Sequence, residues 1–204
     1  MVEAICNKLT LKIRKEMPEI DDERAEAINY GLQLIIGESP KFVILFIIAC
    51  IFRVPLLSFL ALLFIMPYRI VSGGVHLKTH IGCIVATSVF YIGNAILSKH
   101  IILESTEKVI ITVFVWIFSL IMIRLYAPAD TEAVPILRKK ERKTKKILSY
   151  IIVTITLLIA VFIKNIVISN LLIFGTLLQT IAISRFMYII TNNKYGHEVY
   201  KQDT

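Results

Sequence analysis

Cysteine is scarce in this chain: Cys6, Cys50 and Cys83 stand far apart in 204 residues. An odd number at wide spacing argues against a disulfide framework and against a CxxC redox motif. Charge is scarce as well, at 19% of residues, and it is missing from four stretches, 81–97, 109–123, 147–163 and 166–184. The first fifteen residues lack the uninterrupted apolar core and small-residue cleavage site of a removable secretory signal, so insertion is expected to rely on internal spans. Internal repeats, low-complexity stretches and flexible linkers are also missing, which points to one membrane-embedded domain over 1–204. A basic run without interleaved aromatics or a recognition helix argues against nucleic acid as a partner.

What the chain has in abundance is apolar surface. Hydrophobic residues make up 56% of it and the mean hydropathy is +0.74, whereas soluble domains are about 45–50% apolar. A helix needs ~20 apolar residues to cross the hydrocarbon, with about 17 as the lower limit. Most charge-free stretches meet that length, and Arg124 can snorkel to extend the shortest. Upstream, Ile5, Leu9, Ile13 and Met17 recur at every fourth position with Lys8, Lys12, Arg14 and Lys15 on other faces, the pattern of a basic amphipathic helix lying on anionic lipid. Pro18 ends it, Asp21 or Asp22 caps a second helix, and "GESP" at 37–40 is expected to break that one. The fold class is therefore all-α: a polytopic membrane protein of about six transmembrane or re-entrant helices, preceded by amphipathic helices over 1–40, with membrane helices over 41–190 and a cytoplasmic tail over 191–204.

Residues 42–66 carry one charge, Arg53, and with Pro55 it divides them into halves of about a dozen residues, each ~18 Å long as a helix. Such halves either form one kinked crossing or go in and return as a hairpin. Lysine and arginine arbitrate, because they are retained in the cytoplasm. A hairpin divides them 19 against 3, a single crossing at best 13 against 9. The hairpin predicts cytoplasmic termini and a cytoplasmic location for the polar turn that follows.

That turn, "RIVSGGVHLKTHIGC" from Arg69 to Cys83, gathers the reactive side chains. Gly73 and Gly74 permit positive φ and close backbone approach, so a peptide can lie against them. His76 and Cys83 on one straight helix would be ~10.5 Å apart along its axis, so the segment must bend for them to pair. Cys83 in the first turn of a helix would have its thiolate stabilised by free N–H groups, and His76 could take the thiol proton and return it to a leaving amine. The plainer alternative makes Cys83 a small buried hydrophobe and His76 an interfacial residue. His80, one helical turn before Cys83, is an alternative base, and His76, His80 and Cys83 together are an alternative zinc set without a fourth ligand.

This turn, followed some forty residues later by "YAPADTEAVPI" and a basic run, resembles the accessory gene regulator protein B family of Gram-positive bacteria from about residue 69 to 149. The resemblance implies a cysteine endopeptidase of the bacterial cytoplasmic membrane, without cofactor or metal. Such an enzyme cuts the C-terminal part from a small pro-peptide signal precursor and closes the remainder into a thiolactone or lactone for quorum sensing. It maps the family's histidine and cysteine onto His76 and Cys83, and its arginine and glycine onto Arg69 and Gly74; His80 has no counterpart. It also implies a homodimer. Arg69 could hold the oxyanion or a substrate carboxylate, or anchor to lipid phosphate. Asp130 could orient His76, or cap the turn after Pro128. The run at 138–146, with Lys139, Lys140, Arg142, Lys143 and Lys145, fits either attraction to anionic lipid or docking of an acidic precursor tail. The rival class is a non-enzymatic small membrane transporter or metal-binding membrane module using Arg53 and the histidines as a polar path, against which stands the lack of duplicated halves.

Overall fold

The computed structural model of the protein describes residues 2–17, 19–77, 79–132 and 134–200, apart from the side chains of residues 2, 3, 23, 33–35, 37, 38 and 80. The chain forms two compact units, Met1–Ile48 and Ala49–Thr204. Regular structure among the described residues is helical: α1 (Val2–Glu16), α2 (Asp22–Ile51), α3 (Pro55–Ser72), α4 (His80–His100), α5 (Ser105–Tyr126), α6 (Lys139–Phe162), α7 (Ile166–Ala182), α8 (Arg185–Ile190) and α9 (Gly196–Val199). The fold is all-α, and α3 to α6 contain four segments long and apolar enough to cross a membrane. Residues Ser39–Ile51 and Ile166–Ala182 are shorter apolar helices.

In the first unit, α1 leaves Ile5 and Leu9 exposed while Cys6 and Thr10, one turn apart, are buried. Cys6 follows directly on Ile5 around the helix, so the covered face adjoins the open apolar stripe. Asp21 accepts the Arg24 N–H at 2.8 Å and caps α2, and Asn29 donates to Asn7 at 2.7 Å. The break expected at 37–40 does not occur. α2 runs through Pro40, because the hydrogen bonds on either side of a single proline outweigh the one it removes.

α2 ends at Arg53, in the left-handed region at φ 57. Val54 donates to the Ala49 carbonyl at 2.9 Å and Arg53 to that of Cys50 at 3.0 Å, the paired bonds of a Schellman end in a position usually held by glycine. Pro55 then starts α3, whose missing N–H costs nothing there. The division expected in residues 42–66 is present, but α3 continues past Met66 to Ser72 and so reaches 18 residues. Cys50, in the last turn of α2, is exposed.

The second unit is built around α7, which packs against α3, α4, α5 and α6. Its polar residues face inward. Ser169, Asn170, Thr176, Gln179 and Thr180 are all buried, whereas Leu56, Phe59, Leu63, Met66 and Ile70 form an exposed apolar stripe on α3. Lipid as solvent inverts the usual pattern, so polar side chains seek one another between helices. Asn94 donates to the Leu171 carbonyl at 3.1 Å, Asn170 to that of Ile101 at 2.7 Å, and Ser169 to that of Ala160 at 2.7 Å. Thr180 links Tyr68 of α3, at 3.2 Å, to Ser119 of α5, at 2.8 Å. At Gly175 a methyl group would fall 2.5 Å from the Ile65 side chain and 2.9 Å from Asn94, so its absence lets α3 and α4 close on α7.

Helix ends meet in two groups. Lys108 at the start of α5 donates to the Val161 and Ile163 carbonyls at the end of α6, on the same end as Ile101 and Asn170. At the other end the chain after α3 meets Ala129 after α5 and Ala182 of α7. The polar turn therefore lies at one end of an alternating bundle. Replacing Arg53 by glycine should stabilise the protein by about 1 kcal/mol through relief of the left-handed backbone, whereas valine should destabilise it; thermal unfolding in detergent measures both.

Candidate active site

The polar turn has no regular structure between α3 and α4, apart from an isolated bridge between Gly73 and Ala129. Its shape is imposed by neighbours. Ala129 N–H donates to the Ser72 carbonyl at 2.7 Å and Gly74 N–H to the Ala129 carbonyl at 2.8 Å. A side chain at Gly73, φ 72, would overlap that same carbonyl. Gln179 of α7 donates to Ser72 Oγ at 3.0 Å and to the Gly73 carbonyl at 2.8 Å. Val75 N–H donates to the Ala182 carbonyl at 3.2 Å.

Arg69, in the last turn of α3, reaches over the glycines to the Val75 carbonyl at 2.5 Å and to Gln179 Oε1 at 3.4 Å. A methyl group on Gly74, φ 132, would fall 2.5 Å from its Nη1. Among the described residues no carboxylate pairs with this guanidinium, and Cys83, Tyr91 and Tyr188 lie within its electrostatic reach. The glycine pair thus serves two close approaches, one to Ala129 and one to Arg69.

His76 is exposed and its backbone carbonyl accepts from Asn193 Nδ2 at 2.9 Å. Thr79 caps α4 by accepting the Gly82 N–H at 3.1 Å, and Cys83, half-buried, makes the first helical bond to the Thr79 carbonyl at 2.9 Å. The bend required between His76 and Cys83 is present, and Cys83 occupies the first turn. His80 starts α4, but its role as base, and the zinc alternative that needs it, fall on a side chain outside the described ones.

Asp130 turns toward the C-terminal segment. Its side chain is fully buried, 2.6 Å from His197 Nδ1 and 3.2 Å from Arg142, and it accepts the N–H groups of Ile136 at 3.0 Å and His197 at 2.9 Å. Burial alone would raise its carboxyl; the bonds from Ile136, His197 and Arg142 outweigh that and hold it below the ordinary value. It closes the turn after Pro128, as its capping alternative anticipated. Arg142 completes the corner by donating to the Pro128 and Ile136 carbonyls. Tyr188, its phenol pushed up by burial, donates to the Ala129 and Asp130 carbonyls and stacks on Tyr195 at 4.0 Å. Of the predicted basic face, Lys145 pairs with Glu141 at 3.0 Å, and Lys139, Lys140 and Lys143 are exposed. A cavity of ≈ 300 Å³ opens beside them, lined by Tyr126, Pro128, Arg142, Lys143, Lys146 and His197 among others.

The sequence reading missed Gln179, Tyr188, Asn193 and His197. Their only signal was polar and aromatic residues clustered where the apolar pattern stops.

An all-helical membrane protein in which a clamped turn is followed by a histidine and, in the first turn of the next helix, by a cysteine is the class defined so far. Residues 6–183 match the family model described as Accessory gene regulator B, and the chain belongs to that family. It is 26% identical over 190 residues to an AgrB-like protein of Listeria monocytogenes serotype 4a (strain HCC23), covering 93% of this chain and 91% of that one. It is 29% identical over 167 residues to AgrB-like protein 2 of Clostridium perfringens (strain 13 / Type A), covering 79% and 76%. No solved structure matches.

The depressed Asp130 carboxyl sets a pH dependence. Its contribution is complete above the unfolded value of ~3.9 and is lost as pH falls through the lower folded value. Asp130→Asn should cost about 2 kcal/mol near neutrality. The gap to wild type in thermal unfolding should narrow below about pH 4.

Proposed function

We propose that the protein is a membrane cysteine endopeptidase that cleaves the C-terminal part from a small pro-peptide signal precursor and promotes its cyclisation in quorum sensing. The observation that supports this reading is a turn clamped by Arg69, Gly73, Gly74 and Ala129 that leads directly to His76 and then to Cys83 in the first turn of α4, within the region matched by the family model. Cys83 gives its proton to His76 and attacks the scissile carbonyl; the C–N bond breaks, His76 protonates the departing amine, and a thioester remains. An internal Cys or Ser of the same precursor then attacks that thioester and frees Cys83. Holding that group close raises its effective concentration, and scarce water at the interface slows hydrolysis. Arg69, half-buried and without a carboxylate partner among the described residues, supplies positive charge on the side of Cys83, where thiolate and oxyanion form. Lys143, which lines the cavity, with the exposed Lys139 and Lys140 in the first turn of α6, offers a dock for an acidic tail.

The site end is proposed to be cytoplasmic. The basic run at 138–146, Arg124, Arg185 and Lys194 belong to it, against Arg53, Lys99, Lys108 and Lys164 toward the other end, the bias that retains loops in the cytoplasm. In cells supplied with an epitope-tagged precursor from the neighbouring short reading frame, Cys83→Ala should abolish cleavage with insertion intact, and Cys6→Ala and Cys50→Ala should cleave nearly normally. Wild-type cleavage by Cys83→Ala would refute the assignment. For orientation, an impermeant thiol reagent outside intact cells should label a single cysteine at Ser105 and spare one at Thr144; the reverse pattern would invert the topology.

A further inference from the structure

Beyond residue 183, where the family match ends, the chain does not trail away. α8 and α9 and the residues joining them fold back across the turn. Asp130 pins this segment by accepting from both the backbone and the ring of His197. A side chain at Gly196 would collide with the Thr131 carbonyl and with Pro135, so the approach is close. Tyr195 donates to the Ile183 carbonyl at 3.0 Å. Between these anchors lies Asn193, its N–H bonded to the Tyr188 carbonyl at 2.9 Å.

The Asn193 amide has two N–H bonds to give. One acceptor at 2.9 Å is the His76 carbonyl and the other, also at 2.9 Å, is Thr191 Oγ1. Thr191 Oγ1 spends its own proton on the Met187 carbonyl at 2.7 Å, so it can only accept from Asn193. Both neighbours being acceptors, the amide has a single orientation that satisfies them. His76 itself is exposed. Its neighbour Val75 is held by Arg69 and Ala182, and Thr79 is held as the cap of α4.

From this geometry we infer that Asn193 is a positioning residue for His76: the C-terminal segment is a strap that fixes the backbone of the proposed base from outside the region matched by the family model. The inference rests on the peptidase reading above. A base a few tenths of an ångström out of place leaves substrate binding intact and slows proton transfer, so the effect belongs to kcat.

The test compares Asn193→Ala and Asn193→Asp, the second keeping the shape and losing the donor, in detergent-solubilised full-length protein with the tagged precursor. Each should lower kcat about ten-fold or more with KM within about two-fold. Each should also speed hydrogen exchange in residues 73–77 without lowering the unfolding temperature. Thr191→Val, which leaves Asn193 in place and removes its second acceptor, should show a smaller effect in the same direction and serves if both Asn193 variants fail to fold. Wild-type kcat in a folded Asn193→Asp, a loss confined to KM, or unchanged exchange in the turn would overturn the inference. Cleavage that survives Cys83→Ala would instead overturn the peptidase reading, while the exchange result would still decide whether Asn193 holds the turn.

Discussion

Everything at the site end depends on the pair of hydrogen bonds between Ala129 and the backbone at Ser72 and Gly74. A segment that leaves a membrane helix without continuing as one must have its peptide groups satisfied by other protein groups. The 73–79 turn meets that requirement by pairing with a second irregular segment, 127–131, which is itself fastened by Tyr188 and by the corner at Asp130. Each irregular piece thus completes the other. A side chain at Gly73 would separate them and one at Gly74 would displace Arg69, which explains two consecutive glycines where one would suffice for a turn.

The interior is arranged for the same reason. Around α7, hydroxyls and amides fill positions that aliphatic side chains occupy in soluble cores, and lipid-facing surfaces carry the leucines, isoleucines and phenylalanines. Against that background Arg69 stands out, a half-buried guanidinium with no carboxylate partner among the described residues. Two acceptors, the Val75 carbonyl and Gln179, offset part of the cost of withdrawing it from water.

The spans were legible because absence of charge over about 17 residues has few other meanings; α4, α5 and α7 coincide with charge-free stretches to within four residues, and α6 ends with the remaining one but starts eight residues earlier, within the basic run. The bend before Cys83 was legible from the glycines and from the distance a straight helix would impose. The continuity of α2 was not, because Gly37 and Pro40 are local signals that a long helix overrode. The burial of Cys6 was hidden because the open stripe beside it looked like the face to be covered. Nor could the sequence pair Asp130 with His197 or Asn193 with His76, contacts across 67 and 117 positions. Hydrophobic period carries information along one element, and these bonds join different ones.

α7 packs against all four of the long helices α3 to α6 and is the last of the long ones in chain order. During synthesis, α3 to α6 emerge and insert with their polar faces unpartnered. Ser119 and Tyr68 must wait for Thr180, and Ser72 and Gly73 for Gln179. The turn that bears His76 therefore takes its final shape only after Gln179 and Ala182 of α7 have emerged, and a chain stalled before that point would be inserted in the membrane with the turn unclamped. Biosynthesis itself imposes a delay between having the reactive side chains and having them aligned.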